Sequence, residues 1–184
     1  MLNLYKFCKA IAKLFLKILY RIKVVGDISL PEDSGYIICS NHINAIDPVL
    51  IGCFMKRQMS FMGKKELFKI PILSWIFRKL GGFPVDRGKG DVVAVKTAIE
   101  ILQSKNVMVM FPEGTRSKTG KLGEFKKGAA LIAFRANVPI LPVKIEGNYK
   151  LFSKMTLKIG KPLYVTKENK SVIMEELKEK IKDM

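Results

Sequence analysis

His42 and Asp47 are the pair of residues best suited to chemistry. His42 is the only histidine in the chain, and imidazole can both take and return a proton near neutral pH. Asp47 follows five residues later, a spacing that would splay the two side chains by about 140° on a continuous helix. They can meet only if the segment between them turns, which Asn44 and a helix-opening Asp47-Pro48 favour. In that geometry Asp47 accepts a hydrogen bond from one ring nitrogen and leaves the other free to deprotonate an alcohol. The same two residues also fit a plainer role, with Asp47 as a helix cap and His42 as a satisfied loop residue.

A second segment, FPEGTRSKTGKLGEFKKG from Phe111 to Gly128, follows a buried apolar run. Pro112, Gly114, Gly120 and Gly123 mark it as a loop, and Arg116, Lys118, Lys121, Lys126 and Lys127 make it basic. Backbone N–H groups and a guanidinium fork suit a phosphate. Gly114 permits a tight turn that would aim Thr115 and Arg116 together. The segment lacks G-x-x-x-x-G-K-[ST] leading into a helix, so it is not a Walker nucleotide loop. Taken alone, it could equally be a solvated basic turn.

In chain order, Asn41-His42-x4-Asp47-Pro48 and then Phe111-Pro112-Glu113-Gly114-Thr115-Arg116-Ser117 resemble the glycerolipid acyltransferase family, of the 1-acyl-glycerol-3-phosphate acyltransferase type. Two further blocks fit. Lys64-Lys65-Glu66-Leu67 through Ile70-Pro71 to Gly81-Gly82-Phe83-Pro84-Val85-Asp86-Arg87 lies between the motifs, and Val138-Pro139-Ile140-Leu141-Pro142-Val143 follows them. The resemblance covers about residues 25–150.

It implies His42 as general base and Asp47 as the group that orients it. It also implies an acceptor site in which Glu113, Gly114, Thr115 and Arg116 hold a glycerol phosphate, with Arg116 the main phosphate partner. Arg87 and Lys64 are further acceptor-binding candidates. The acyl donor would be a thioester of coenzyme A or acyl carrier protein. The acceptor would be the 2-hydroxyl of lysophosphatidic acid, giving phosphatidic acid for phospholipid synthesis. Glycerol 3-phosphate or another lysophospholipid is the alternative acceptor. No cofactor or metal is implied, because a thioester yields to an activated alcohol unaided. No covalent acyl-enzyme is required either, so Cys39 is expected to pack. The fourth block is expected to wall the site or an acyl channel.

The elements that must position these residues alternate strand and helix. Tyr36–Ser40 reads as a buried strand, followed by a helix from Asp47 to about Arg57. A strand over Met59–Met62 and a helix over Ile72–Leu80, ended by Gly81-Gly82, come next. Asp91 caps a helix running to about Ser104, and Val107–Phe111 is a strand. Gly128–Ala136 is a helix and Pro139–Glu146 a strand. Thr156–Val165 reads as an extended segment near a sheet edge, broken by Gly160 and Pro162. A polar helix starts near Ser171. The expected fold is one α/β domain, a mostly buried sheet flanked by helices, over residues 24–184.

Residues 1–23 stand apart as an amphipathic helix over about 2–22. Lys6, Lys9, Lys13, Lys17 and Arg21 fall within an arc about 120° wide, opposite Leu4, Phe7, Ile11, Leu14, Phe15, Ile18 and Ile22. A cation in every turn argues against a membrane span, and no uninterrupted apolar core marks a signal peptide. The pattern suits a helix lying at a membrane surface, although the apolar side could also pack on the domain.

Thirty-three Lys and Arg against 16 Asp and Glu give a formal charge of +17. That surplus draws the chain to polyanions. No nucleic-acid-binding signature accompanies it, so the expected partner is an anionic membrane surface. A non-catalytic basic binding protein would explain the charge but not His42 and Asp47. The three cysteines, an odd number with no C-x-x-C, suggest a reducing compartment. The expected location is therefore the cytoplasmic face of the membrane, peripheral or monotopic.

Overall fold

Apolar runs in the middle of the chain become strands because helices cover both faces of the sheet, so every side chain of a strand can enter a core. The computed structural model describes residues 2–26, 30, 33–86, 90–117 and 119–184. Helix α1 (Leu2–Leu19) leads into strand β1 (Arg21–Val25), followed by β2 (Tyr36–Ser40), α2 (Asp47–Phe54) and β3 (Met59–Lys64). A 3-10 turn (Lys65–Lys69), α3 (Pro71–Lys79), β4 (Gly82–Val85), α4 (Val92–Gln103) and β5 (Val107–Met110) come next. The chain closes with α5 (Gly128–Ala136), β6 (Ile140–Gly147), β7 (Lys154–Ile159) and α6 (Ile173–Asp183).

The strands form one seven-stranded sheet in the order β1-β7-β6-β2-β5-β3-β4. From β6 to β4 the strands are parallel, and β7 runs antiparallel to β6. Side chains alternate between two cores, as the pleat requires. Ile37, Cys39 and Met108 enter the core shared with α4, α5 and α6. Tyr36, Ile38, Val107 and Val109 enter the core shared with α1 and α2. Asp91 caps α4 by accepting the Ala94 N–H at 2.9 Å. The expected α/β domain, with a buried sheet between helices, is the observed one.

Several details differ from the sequence reading. The first helix ends at Leu19, and Arg21 and Ile22 belong to β1, which pairs with β7 from Arg21↔Lys154 to Val25↔Lys158. Arg21 kept the basic rhythm of the helix, while the β-branched residues after it suit a pleated strand. A boundary after residue 23 therefore falls inside β1. The segment expected near a sheet edge contains the end of β7, the second strand in, with β1 as the edge outside it. Gly82–Val85 is more than a helix stop: it is the edge strand β4, where Pro84 is tolerated. Helix α2 stops at Phe54, with Met55 already extended.

Candidate active site

The site grows from the end of β2. The regular pairing of β2 with β6 reaches Ser40↔Val143. The buried Asn41 side chain continues it by donating to the Ile145 carbonyl at 2.9 Å and accepting the Ile145 N–H at 2.8 Å. The strand is thereby locked to β6 up to the residue before His42. Helix α2 leaves β2 on the α1 side of the sheet, whereas α5 leaves the neighbouring strand β5 on the opposite side. Adjacent parallel strands whose connections part in this way open a crevice at their carboxyl ends, where α/β sheets place ligands. His42 and the Phe111–Ser117 segment stand at this crevice.

Asp47 is fully buried and does not cap α2 by its side chain; Ile46 occupies the N-cap position. Its carboxylate turns back up the chain instead. Oδ2 accepts the Ile43 N–H at 2.7 Å, the Asn44 N–H at 2.8 Å and His42 Nδ1 at 2.7 Å. Oδ1 accepts the Tyr149 hydroxyl at 2.5 Å. Four donors offset the cost of burying a carboxylate. The loop is bent around Asp47, which is how two residues that a helix would splay come to touch. A carboxylate only accepts, so the proton sits on Nδ1 of His42. Nε2 is left as the lone-pair nitrogen, without a partner among the described residues. Burial pushes the Tyr149 hydroxyl well above the usual range, and the Asp47 carboxylate adds to the effect, so Tyr149 remains a donor.

The loop after β5 clamps the backbone of His42. Glu113 accepts the His42 N–H at 2.9 Å through one carboxylate oxygen and the Gly123 N–H at 3.0 Å through the other. Ser117 donates its N–H to the His42 carbonyl at 2.7 Å. The Phe111 ring stacks on the imidazole, with centroids 4.0 Å apart and planes 20° from parallel. Glu113 is thus a brace between two loops, and its negative charge suits that role better than contact with a phosphate. Gly114 holds φ +74°, and a Cβ there would meet the Lys126 ammonium at 2.9 Å. This left-handed residue lets the segment fold tightly, with the Gly114 N–H donated to the Phe111 carbonyl at 3.0 Å. Thr115 and Arg116 beyond it are exposed. Thr115, Ser117, Lys121 and Lys126, with Glu113, line an open cleft.

Lys64 lies at the carboxyl end of β3, exposed and loosely paired with Glu66 at 3.8 Å. The strands leading to His42, Phe111, Lys64 and Val85 are consecutive in the sheet and parallel, so the first three blocks singled out in the sequence meet at one end of it, whereas residues 138–143 lead into β6 and run along β2 from the other end. Arg87, two residues past β4, lies outside the described residues, as does Lys118. Cys39 is fully buried and its thiol is pushed up by burial, consistent with packing. Sequence reasoning missed Tyr149. It reaches Asp47 across 102 residues of chain, and no local pattern marks it.

An acyltransferase family model matches residues 21–146, a span that contains every one of these segments except Tyr149. The chain belongs to the acyltransferase family. It is 32% identical to the 1-acyl-sn-glycerol-3-phosphate acyltransferase of Bacillus subtilis, with 98% of this chain and 96% of that protein covered. The Streptococcus pneumoniae protein of the same name is 40% identical over 118 residues, which are 63% of this chain and 43% of that longer one. The crystal structure of the 1-acyl-sn-glycerophosphate (LPA) acyltransferase from Thermotoga maritima superposes with a TM-score of 0.75. It is 30% identical, and 97% of this chain and 80% of that chain are covered.

Proposed function

We propose that this acyltransferase moves a fatty acyl group from a coenzyme A or acyl-carrier-protein thioester to the 2-hydroxyl of lysophosphatidic acid, supplying phosphatidic acid for phospholipid synthesis. The observation that carries this reading is the 2.7 Å contact between His42 Nδ1 and the buried Asp47 carboxylate, set beside a basic loop. The names of the relatives from Bacillus, Streptococcus and Thermotoga point to the same acceptor.

His42 Nε2 removes the acceptor hydroxyl proton as its oxygen attacks the thioester carbonyl. Asp47 stabilises the imidazolium that forms and fixes the ring, helped by the Phe111 stack. The tetrahedral intermediate collapses, the C–S bond breaks, and the imidazolium returns the proton to the departing thiolate. Atoms balance with no covalent enzyme intermediate. Arg116 is the principal partner of the acceptor phosphate, with Thr115 beside it and Lys64 approaching from the end of β3; Arg87 is a further phosphate partner by its place in the sequence. Gly114 shapes the turn, and Glu113 keeps that turn attached to His42.

No helix among the described residues is long and apolar enough to cross a membrane. Helix α1 nonetheless exposes Phe7, Leu14, Phe15 and Ile18, each more than half accessible. We place it at an anionic membrane surface, on the cytoplasmic face where acyl thioesters are made available. An acceptor already in the bilayer then needs to move little to reach the crevice.

The test is acyl transfer from a long-chain acyl thioester to lysophosphatidic acid in anionic vesicles, with glycerol 3-phosphate offered in parallel. Wild type should form phosphatidic acid, and His42→Ala should lose roughly a hundred- to ten-thousand-fold in turnover while keeping its circular dichroism spectrum. Normal turnover by His42→Ala would refute the base assignment. Transfer only to glycerol 3-phosphate would refute the acceptor assignment.

A further inference from the structure

Helix α3 is unusual in having no buried residue along its length. It touches the fold through Phe77, which meets Phe61 edge-on at 6.1 Å between ring centroids and Phe68 at 5.8 Å. About half a turn of helix away, Ile72, Trp75 and Ile76 share an arc roughly 100° wide. Ile72 is 73% exposed and Trp75 57%. The turn before the helix adds exposed Leu67 and Ile70. In water an arc of this kind has nothing to recommend it, and an exposed indole among aliphatic side chains is the composition of a membrane–water boundary.

The topology sets this arc beside two others. Phe61 packs in the core shared by α1 and α2, so α1, α2 and α3 all lie on one face of the sheet. Strands β3 and β4 run parallel to β2, so Pro71 opens α3 at the same end of the sheet where Asp47 opens α2. The last turn of α1 reaches that end as well. The Leu19 carbonyl accepts the Phe152 N–H at 2.7 Å, and Phe152 belongs to the loop after β6. Phe15 and Ile18 of α1, Ile46 and Val49 at the start of α2, and Ile72 and Trp75 of α3 are therefore exposed apolar residues on one side and at one end. Lys17, Lys64, Lys65 and Lys69 are exposed among them. Glu66 and Asp86 reach Lys64 and Lys65 only loosely, at 3.8 and 3.5 Å. Apolar side chains fringed by lysines complement an anionic lipid surface.

We propose that α3 and the turn leading into it form a second contact with an anionic bilayer. The domain then rests on α1 and α3, with the Asp47 end of α2 between them and the His42 crevice held at the lipid surface. This inference rests on the membrane reading of α1 and adds what α1 alone cannot supply. One helix can tether a domain and leave it free to roll, whereas two separated contacts fix which way the crevice faces.

Trp75 is the only tryptophan in the chain, so intact protein reports on this contact directly. The probe is vesicles of phosphatidylglycerol and phosphatidylcholine, with and without bromine on the acyl chains. Binding should shift Trp75 emission to the blue, shield it from acrylamide and quench it with the brominated lipid. Because Ile72 is so exposed, Ile72→Glu should fold normally and lower vesicle partitioning about tenfold or more. Protein that sediments with vesicles while Trp75 stays unshifted and open to acrylamide would overturn the α3 contact and leave α1 standing. Failure to sediment at all would overturn both. A blue shift that grows with protein concentration in the absence of lipid would show a second copy on this face, and would also overturn the proposal.

Discussion

The two terminal helices are both amphipathic, and the chain uses them in opposite senses. Helix α6 buries Ile173, Met174, Leu177 and Ile181 against the sheet. Its outer side is laced by Lys178–Glu175, Lys180–Glu176 and Lys182–Glu179 ion pairs at 3.6, 3.4 and 2.9 Å. Helix α1 packs through Ala12, Leu16 and the adjoining Tyr20, with two of its lysines drawn in as well. The Lys9 ammonium donates to the Met55 carbonyl, and Lys13 sits 5.1 Å from the centroid of the Phe54 ring. Leu4, Phe7, Ile11, Leu14, Phe15 and Ile18 face outward, 39–62% exposed. An amphipathic pattern locates two faces on a helix, and the surrounding solvent decides which face turns in. For α6 that solvent is water. For α1, on the membrane placement proposed above, it is lipid.

Two substitutions test this contrast. Leu177→Ala removes a fully buried side chain of α6 and should cost about 2–5 kcal/mol in urea unfolding. Its vesicle binding should stay unchanged at temperatures where it is folded. Phe15→Asp, at a residue 59% exposed, should move unfolding by no more than about 0.5 kcal/mol. It should nonetheless lower vesicle partitioning at least tenfold, since a buried phenylalanine is worth roughly 1.5–3 kcal/mol. If Phe15→Asp unfolded the protein as readily as Leu177→Ala, protein rather than lipid would cover α1, and the contrast would fail.

The same distinction explains what the sequence could reveal. Strands β2 and β5 and helices α4 and α5 are legible because apolar period, caps and glycines agree over short stretches. Strand β1 was hidden because Arg21 continued the basic rhythm of α1, and its pairing partner β7 lies more than a hundred residues away. Strand β4 is only four residues long and contains Gly82 and Pro84, which locally resemble a helix stop. At the site, residue type and spacing make His42 and Asp47 candidates but leave the cap-and-loop role open, and it is the resemblance of the motifs in order that singles the pair out. The acidic side chain of Glu113 gave no hint that both its oxygens would accept backbone N–H groups. Tyr149 had no local signal, because its function arises only when β6 carries its loop back beside Asp47.

Tyr149 links the dyad to Tyr20, the residue between α1 and β1. Its ring meets Tyr20 edge-on with centroids 5.6 Å apart, and its hydroxyl donates to Asp47. Tyr149→Phe keeps the ring contact and deletes only the donor to Oδ1. Asp47 retains the His42, Ile43 and Asn44 donors, so the carboxylate should stay in place but be held less firmly. The expected loss is about tenfold in kcat, or roughly 1.4 kcal/mol of transition-state stabilisation. KM for donor and acceptor should not change, because Tyr149 acts through its bond to Asp47. A rise in KM with unchanged kcat would instead put Tyr149 in the acceptor site. An unchanged rate would mean that the three remaining donors hold Asp47 in place by themselves.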